Sequence, residues 1–465
     1  MKQVKKDIKK IFWLYSLMFC ALIGYLLKFI FLDSPIVIIN PYNPRLNSLE
    51  KSILRGEIRD NKGVVLARTK MDKDGWMREY PQGRDFAHVV GSVQKGKTGI
   101  EAYANFMLLE VNDKMVQRVK EVFTGDKLKG NHVVLTLDAN LQRTSRELLK
   151  GKKGAILVME PSTGKILSMV SNPDFNPNEL SQNWEQLNKD EENSPLINRA
   201  TQGLYPPGSI FKVITAASAL ESEKGLEGFL YNCKGEDIFD GNLIRCYNSK
   251  PHGEVDLNKA FYVSCNTAFA KLGTDVGGER LKQTSERLLF NRPLPYELDY
   301  NRSQFVLTKH SEDKEIVETA MGQGRTLVSP LHMGMITSAI ANGGILMKPY
   351  IIDHMETNYG KTKNKKIPEK FAVLFDAGDA NRLTNMMVDV VNKGTGTKAQ
   401  ISNISVAGKT GTAQNASGED HAWFIGFAPS QKPEAVVVVI IENGGSGGSS
   451  AGPIARKLLQ QVLNN

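Results

Sequence analysis

The stretch GSVQKGKT, residues 91–98, matches G-x-x-x-x-G-K-[ST] at every position and, on that pattern alone, describes a phosphate-binding loop. Its flanks fit as well: FAHVV (86–90) reads as a strand and IEAYANFMLLEV (100–111) as a helix whose N-terminus would face the phosphates. VVLTLD (133–138) even offers an aspartate at a strand end. The same residues and the next glycine also contain S-x-x-K (Ser92, Lys95) and K-T-G (Lys97, Thr98, Gly99), fragments of a different chemistry. Topology and the rest of the chain decide between the two readings.

The N-terminus speaks first. Lys2, Lys5, Lys6, Lys9 and Lys10 stand against Asp7, and residues 11–27 carry no charge. With residues 29–32 beyond Lys28, the apolar span 11–32 reaches the ~20 residues that cross a bilayer. Trp13 and Tyr15 suit the interface, and the lysines hold a tail of residues 1–10 in the cytoplasm. A cleaved signal peptide is the alternative, but no small-x-small site follows the apolar run, which passes into Lys28, FIFL and Asp33-Ser34-Pro35. A retained single-pass anchor in the cytoplasmic (inner) membrane is therefore expected, with everything from Asp33 onward outside the cytoplasm. ATP is scarce there, so no nucleotide is expected in the 91–98 loop.

The net charge of +9 is spread along the chain beyond the N-terminal cluster, and no basic block carries interleaved aromatics, which excludes nucleic acid as a partner. Four cysteines in 465 residues exclude a disulfide-dense scaffold, and Cys20 lies in the anchor. Cys233 and Cys246 bound CKGEDIFDGNLIRC, a hairpin tip by its turn residues. A two-residue turn at Asp240-Gly241 would not set them opposite each other, whereas a four-residue loop would, so a disulfide there stays open. Neither C-x-x-C nor H-E-x-x-H occurs, and no metal or other cofactor is expected.

Beyond the anchor, residues 40–151 read as a small irregular pedestal with separated strand candidates, GEIRD (56–60) and GVVLA (63–67). The second domain, residues 152–465, begins at GAILVMEPSTGKILSMVSNP (154–173), two apolar runs about a turn. VITAASALES (213–222) and HMGMITSAIANGG (332–344) read as helices. SVAGKTGTA (405–413), HAWFIGFA (421–428) and AVVVVIIEN (435–443) read as successive strands, the last apolar throughout and so buried on both faces. Their close spacing favours antiparallel pairing. GGSGGSS (444–450) reads as a flexible loop and IARKLLQQVL (454–463) as a closing helix. The fold class is α/β: an antiparallel sheet flanked by helices, preceded by a transmembrane helix and the pedestal.

S-x-x-K occurs five times, at Ser48, Ser92, Ser162, Ser209 and Ser311. Only Ser209 stands where a Pro-Pro-Gly turn leads into a strong apolar helix, so that backbone amides and a positive dipole face its hydroxyl. Lys212 lies one turn on and accepts the hydroxyl proton if burial lowers its pKa. S-x-N occurs at Ser181 and again at Ser264-Cys265-Asn266, before a helical run. K-T-G recurs at Lys409-Thr410-Gly411-Thr412, on a predicted strand. Ser209, Ser264 and Lys409 thus open three motifs in the order found in penicillin-binding proteins and β-lactamases.

On these residues the chain resembles the class B penicillin-binding proteins. RGEIRDNKGVVLA (55–67), GKTGIEAY (96–103), LTLDANLQ (135–142), LYPPGSIFK (204–212), MGQGRTLVSPLHM (321–333) and AGKTGTAQ (407–414) all look like signatures of that family. The resemblance implies a penicillin-binding transpeptidase fold and a peptidoglycan D,D-transpeptidase that acts on stem peptides and is inhibited by β-lactams. It implies Ser209 as nucleophile, Lys212 as base, Ser264 as proton donor to the leaving amine and Asn266 as the residue that positions the substrate amide. It implies Lys409 as a source of positive potential, Thr410 and Thr412 as holders of the substrate carboxylate, with Gly411 between them, and the amides of Ser209 and Thr412 as oxyanion hole. GKTGIE then belongs to the pedestal. No glycosyltransferase domain is visible, which implies a SEDS-family glycosyltransferase partner.

Two rivals meet obstacles. Gly448-Ser449-Ser450-Ala451-Gly452 fits G-x-S-x-G, but that fold needs a later histidine and none follows His421. A non-enzymatic sensor of β-lactam or peptidoglycan would carry further membrane spans or a cytoplasmic effector. A β-lactamase is the nearer alternative, because Glu297 and Asn301 have the spacing of a deacylating loop.

Overall fold

The computed structural model describes residues 2–29, 52–73, 75–111, 127–221, 228–415 and 418–464. The end of the expected span, the start of the pedestal and Ser48 lie outside the described residues. Helix α1 (Lys2–Lys28) is long and apolar enough from Val4 onward to cross a membrane, and none of its apolar window is buried against the rest of the chain.

The pedestal supplies strands β1 (Ile58–Arg59), β2 (Val65–Asp72), β3 (Gly75–Glu79) and β4 (His132–Leu135). Helix α2 (Ala139–Leu148) follows, capped by the Asp138 side chain, and leads into β5 (Gly154–Met159) and β6 (Ile166–Asn172). Then come α3 (Lys212–Leu220), α4 (Asn266–Val276), α5 (Pro330–Ala341), β7 (Ile352–Glu356), β8 (Thr362–Lys363), α6 (Ala377–Lys393), β9 (Ala407–Ala413), β10 (His421–Ala428), β11 (Ala435–Ile441) and α7 (Gly447–Leu463).

The catalytic half is built on a five-stranded sheet in the order β9-β10-β11-β5-β6, every neighbouring pair antiparallel. Both faces of β11 are buried, as its continuous apolar run predicts: Val436, Val438 and Ile440 enter one core, while Val437, Val439 and Ile441 enter the other. The first core lies under α3 and α5, and the second under α2 and α7. At ~1.5–3 kcal/mol per buried aliphatic side chain, this strand alone anchors the domain.

Two local expectations are corrected. FAHVV is helical (Gly83–Phe86 and Ala87–Val90), because a short apolar run carries no period and its buried faces pack on two separate clusters. Of the tract 444–450, residues 444–446 stay outside the helix, while Gly447 to Ser450 form the first turn of α7. A Cβ on Gly447 would lie 2.2 Å from the Trp423 carbonyl and 2.3 Å from that of Gly411, so these glycines serve close packing, not flexibility. The sheet that holds the strands of the N-terminal region runs β8-β7-β4-β1-β2-β3, with β7 and β8 supplied from residues 352–363.

The 91–98 loop closes on itself. The Ser92 amide donates to Thr98 Oγ1 at 3.1 Å and the Thr98 amide to the Ser92 carbonyl at 3.0 Å, so these amides are not turned outward. The following helix, Gly99–Tyr103, is a single turn carrying Glu101, which is fully buried between Arg55 and Arg78 at 2.6 and 2.7 Å. Burial pushes its carboxyl up, but the guanidiniums of Arg78 and Arg55 outweigh that and hold it below the ordinary value. The loop is a structural clasp. Equilibrium titration with ATP is expected to show no binding, and affinity lost on Lys97→Ala would contradict that.

Candidate active site

Pro206-Pro207-Gly208 delivers Ser209 into a 3₁₀ turn, Gly208–Phe211, that runs directly into α3. Gly208 has φ +53°, and a Cβ there would stand 2.6 Å from the Thr412 carbonyl. On the facing strand β9, a Cβ on Gly411 would meet the Ile210 side chain at 3.0 Å and the Pro207 carbonyl at 3.1 Å. The two glycines therefore let the serine-bearing turn and β9 come together. Trp423 on β10 fixes the approach by donating from Nε1 to the Pro206 carbonyl at 3.0 Å.

Lys212 is fully buried in the first turn of α3. Its Nζ donates to the Ser264 carbonyl at 2.8 Å, Asn266 Oδ1 at 2.7 Å and Ser264 Oγ at 3.2 Å. Among the described residues it makes no hydrogen bond to Ser209, a gap common in unliganded sites, where catalytic contacts tighten only around substrate. Lys409 on β9 is also fully buried, and its Nζ donates to Ser264 Oγ at 3.0 Å and to the Thr410 carbonyl at 3.0 Å. Two lysines from different elements thus converge on one hydroxyl. Ser264 holds φ +58°, a backbone conformation costly for a residue with a side chain and concentrated at functional sites. The Asn266 amide nitrogen is anchored on the Arg245 carbonyl at 2.9 Å.

Burial lowers the Lys212 pKa to about 8, and nearby cysteines oppose the shift. Burial and then the charge of Lys212 drive Lys409 well below the ordinary lysine value. Thr410 Oγ1 pairs with Thr395 Oγ1 at 2.5 Å, while Thr412 is half-exposed beside the turn of Ser209. Because β9 is the edge of its sheet, its outer row of backbone groups has no strand partner among the described residues and can pair with an extended peptide.

All eight predicted positions, Ser209, Lys212, Ser264, Asn266, Lys409, Thr410, Gly411 and Thr412, lie on the three elements that meet here. The decoys lie elsewhere. Ser92 is in the pedestal clasp, Ser162 in the β5–β6 turn, Ser181 on a helix spanning Leu180–Lys189, and Ser311 in a loop before Asp313–Met321. Gly448 to Gly452 form part of α7 and make no strand-to-helix elbow. Glu297 accepts from Lys366 at 3.0 Å, and Asn301 donates to the Gln202 carbonyl at 2.6 Å. Sequence reasoning missed Thr395, which no pattern marks, and a group of three thiols and an imidazole behind Asn266.

The arrangement brings a serine-bearing turn, two buried lysines and the edge strand β9 together in one site. Residues 154–460 match the model of the penicillin binding protein transpeptidase domain, and residues 55–133 that of the penicillin binding protein A dimerisation domain. The chain belongs to the penicillin-binding protein transpeptidase family and, by that membership, is a serine-type D,D-transpeptidase. It is 31% identical over 425 residues to the peptidoglycan D,D-transpeptidase PbpA of Mycolicibacterium smegmatis, with 86% of each chain covered. The ceftriaxone acyl-enzyme complex of penicillin-binding protein A from M. tuberculosis matches 90% of this chain and 100% of its own, at 30% identity and a TM-score of 0.81. The D,D-transpeptidase domain of a peptidoglycan glycosyltransferase from Eggerthella lenta matches 89% and 99%, at 33% identity and a TM-score of 0.80.

Proposed function

We propose that the chain crosslinks peptidoglycan stem peptides through an acyl-enzyme on Ser209. The observation that carries this reading is the convergence of Lys212 and Lys409 on Ser264 Oγ, 3.2 and 3.0 Å away, beside the turn that presents Ser209. Ser209 Oγ attacks the carbonyl carbon between two terminal D-alanines while Lys212, as the free amine, takes the hydroxyl proton. The carbon–nitrogen bond breaks, Ser264 passes a proton to the leaving D-alanine amine, and Lys212 resupplies it. An amine of a neighbouring stem peptide then attacks the ester, forming the crosslink amide and returning the proton to Ser209.

Asn266 orients the substrate amide. Thr410 and Thr412 receive the terminal carboxylate, Lys409 supplies positive potential beside it, and Gly411 keeps the groove narrow. The amides of Ser209 and Thr412 form the oxyanion hole, each donor contributing ~3–4 kcal/mol to the transition state. β-Lactams enter the same groove and acylate the same serine.

The lysine cluster ahead of one apolar helix supports a reading in which residues 1–10 lie in the cytoplasm, the span 11–32 in the membrane and the catalytic half outside, on a pedestal of residues 40–151. Residues 152–465 then form the catalytic domain, with β7 and β8 reaching back to complete the pedestal sheet. Sugar polymerisation falls to a partner, a SEDS-family glycosyltransferase in our reading.

A chromogenic β-lactam tests the function against hydrolysis. One stoichiometric burst followed by slow release is expected. The same trace is expected from Glu297→Ala, since Glu297 is tied to Lys366. Sustained turnover that Glu297→Ala abolishes would mark a β-lactamase instead.

A further inference from the structure

Behind the Ser264-Cys265-Asn266 segment, the side chains of Cys233, Cys246, His252 and Cys265 point at one another, with their four ligand atoms within 4.8 Å. Cys233 closes a strand, Leu230–Cys233, that pairs with Gly253–Asp256; Cys246 follows the hairpin Glu236–Phe239/Asn242–Arg245; His252 immediately precedes Gly253–Asp256. Cys265 caps α4. The hairpin turns through Asp240-Gly241, so Cys233 and Cys246 are not cross-strand partners, yet their sulfurs are 3.7 Å apart. Cys246 and Cys265 are also 3.7 Å apart, and His252 Nδ1 is 3.4 Å from Cys233 Sγ.

We propose that these four residues bind one zinc ion in a closed tetrahedral Cys₃His site that braces the Ser264-Cys265-Asn266 segment of the active site. A tetrahedral zinc with ~2.3 Å bonds to sulfur and ~2.0–2.1 Å bonds to nitrogen sets S···S edges near ~3.8 Å and S···N edges near ~3.5 Å. The three separations quoted lie within a few tenths of an ångström of those edges.

A disulfide accounts for less. Bridging Cys233 and Cys246 would need the sulfurs to close to ~2.05 Å and would leave Cys265 and His252 aimed at it without a role. All three sulfurs are buried, and Cys233 and Cys265 are served by donors that suit a thiolate. Gly235 N–H and the Thr267 hydroxyl donate to Cys233 at 3.4 and 3.3 Å and Ala268 N–H donates to Cys265 at 3.4 Å, while Cys246 has the Thr267 oxygen 3.7 Å away, its one hydrogen already given to Cys233. Zinc displaces the three thiol protons, and the neutral imidazole keeps its proton on Nε2, so the bound site carries one net negative charge. The consequence reaches the active site through Cys265. With Cys265 fixed, Ser264 is held at φ +58° and both Ser264 and Asn266 are presented to Lys212.

The test uses the full chain, purified in detergent without chelator. Elemental analysis is expected to find about one zinc per chain, and denaturation in chelator to release four titratable thiols, since Cys20 is the fourth cysteine. Cobalt(II) added to the chelator-stripped wild-type protein should give the intense visible bands of a tetrahedral thiolate site, a readout that needs no variant to fold. Cys246→Ser and His252→Ala should each lose the metal. Stripping zinc should slow penicillin acylation of Ser209 by ~10-fold, and adding it back should restore the rate. A metal-free chain with two thiols and a Cys233–Cys246 bridge by mass spectrometry would overturn the site. Metal retained by both variants would do the same. Bound zinc whose removal leaves acylation unchanged would overturn the bracing. Metal content and thiol count are independent of catalysis, so they separate a failure here from a failure of the transpeptidase reading.

Discussion

Ser209→Ala is expected to abolish penicilloyl labelling of the chain and to lower crosslinking by ~10⁶-fold, the loss seen when an active-site serine is removed from an enzyme of this type of mechanism. The size of the effect follows from the absence of a substitute. Ser264 Oγ accepts hydrogen bonds from two lysines and sits on the opposite wall. Thr410 Oγ1 is taken up with Thr395. Fold should survive, because the Ser209 side chain is half-exposed and the glycines on either side of the groove carry the close packing. Peptide mapping of a fluorescent penicillin adduct checks it. Label on any other residue, or label that persists in the variant, would remove Ser209 from its role.

Lys212→Ala should slow acylation by ~10²–10⁴-fold, the usual contribution of a positioned general base. The pH profile separates this role from simple bracing. Burial lowers the Lys212 pKa to about 8, so below that pH the side chain is increasingly protonated and cannot accept the Ser209 proton. The wild-type acylation rate should therefore climb with pH through about 8 and level off above it, whereas Lys212→Ala should lose that limb. A parallel melting curve accounts for the two acceptors left in the protein interior, Asn266 Oδ1 and the Ser264 carbonyl. A variant that keeps the wild-type pH limb would show that another group is the base.

Much of this site was legible in the sequence because its chemistry is carried by short local patterns. Ser209 and Lys212 are one helical turn apart, and Lys409 to Thr412 lie on one strand, so each motif is nearly complete before the chain folds. Their setting discriminated as much as their letters did, since five copies of S-x-x-K reduce to one when a Pro-Pro-Gly turn into a strong apolar helix is required. The sheet was legible for a similar reason: β11 is apolar at every position, and the 154–173 run shows a hairpin directly. What stayed hidden depends on contacts distant in sequence. Cys233, Cys246, His252 and Cys265 follow no close-spaced metal pattern and meet only when a strand pair, a hairpin and a helix start come together. The tract at Gly447 has the composition of a linker, and only the carbonyls of Trp423 and Gly411 reveal why glycine is there. Nothing near residue 352 announces that its strand pairs with residues 132–135.

That pairing sets a timetable for biogenesis. β7 lies beside β4, and Arg59 of β1 reaches Glu356 of β7 at 3.1 Å across 297 residues of sequence. A chain made from its N-terminus therefore presents β1 to β4 long before the strand that covers the β4 edge exists. Until about three-quarters of the protein has been synthesised, the β4 edge remains open to adventitious strand pairing. Holdase chaperones that recognise extended backbone have a defined client window here, which closes when Ile352–Glu356 docks.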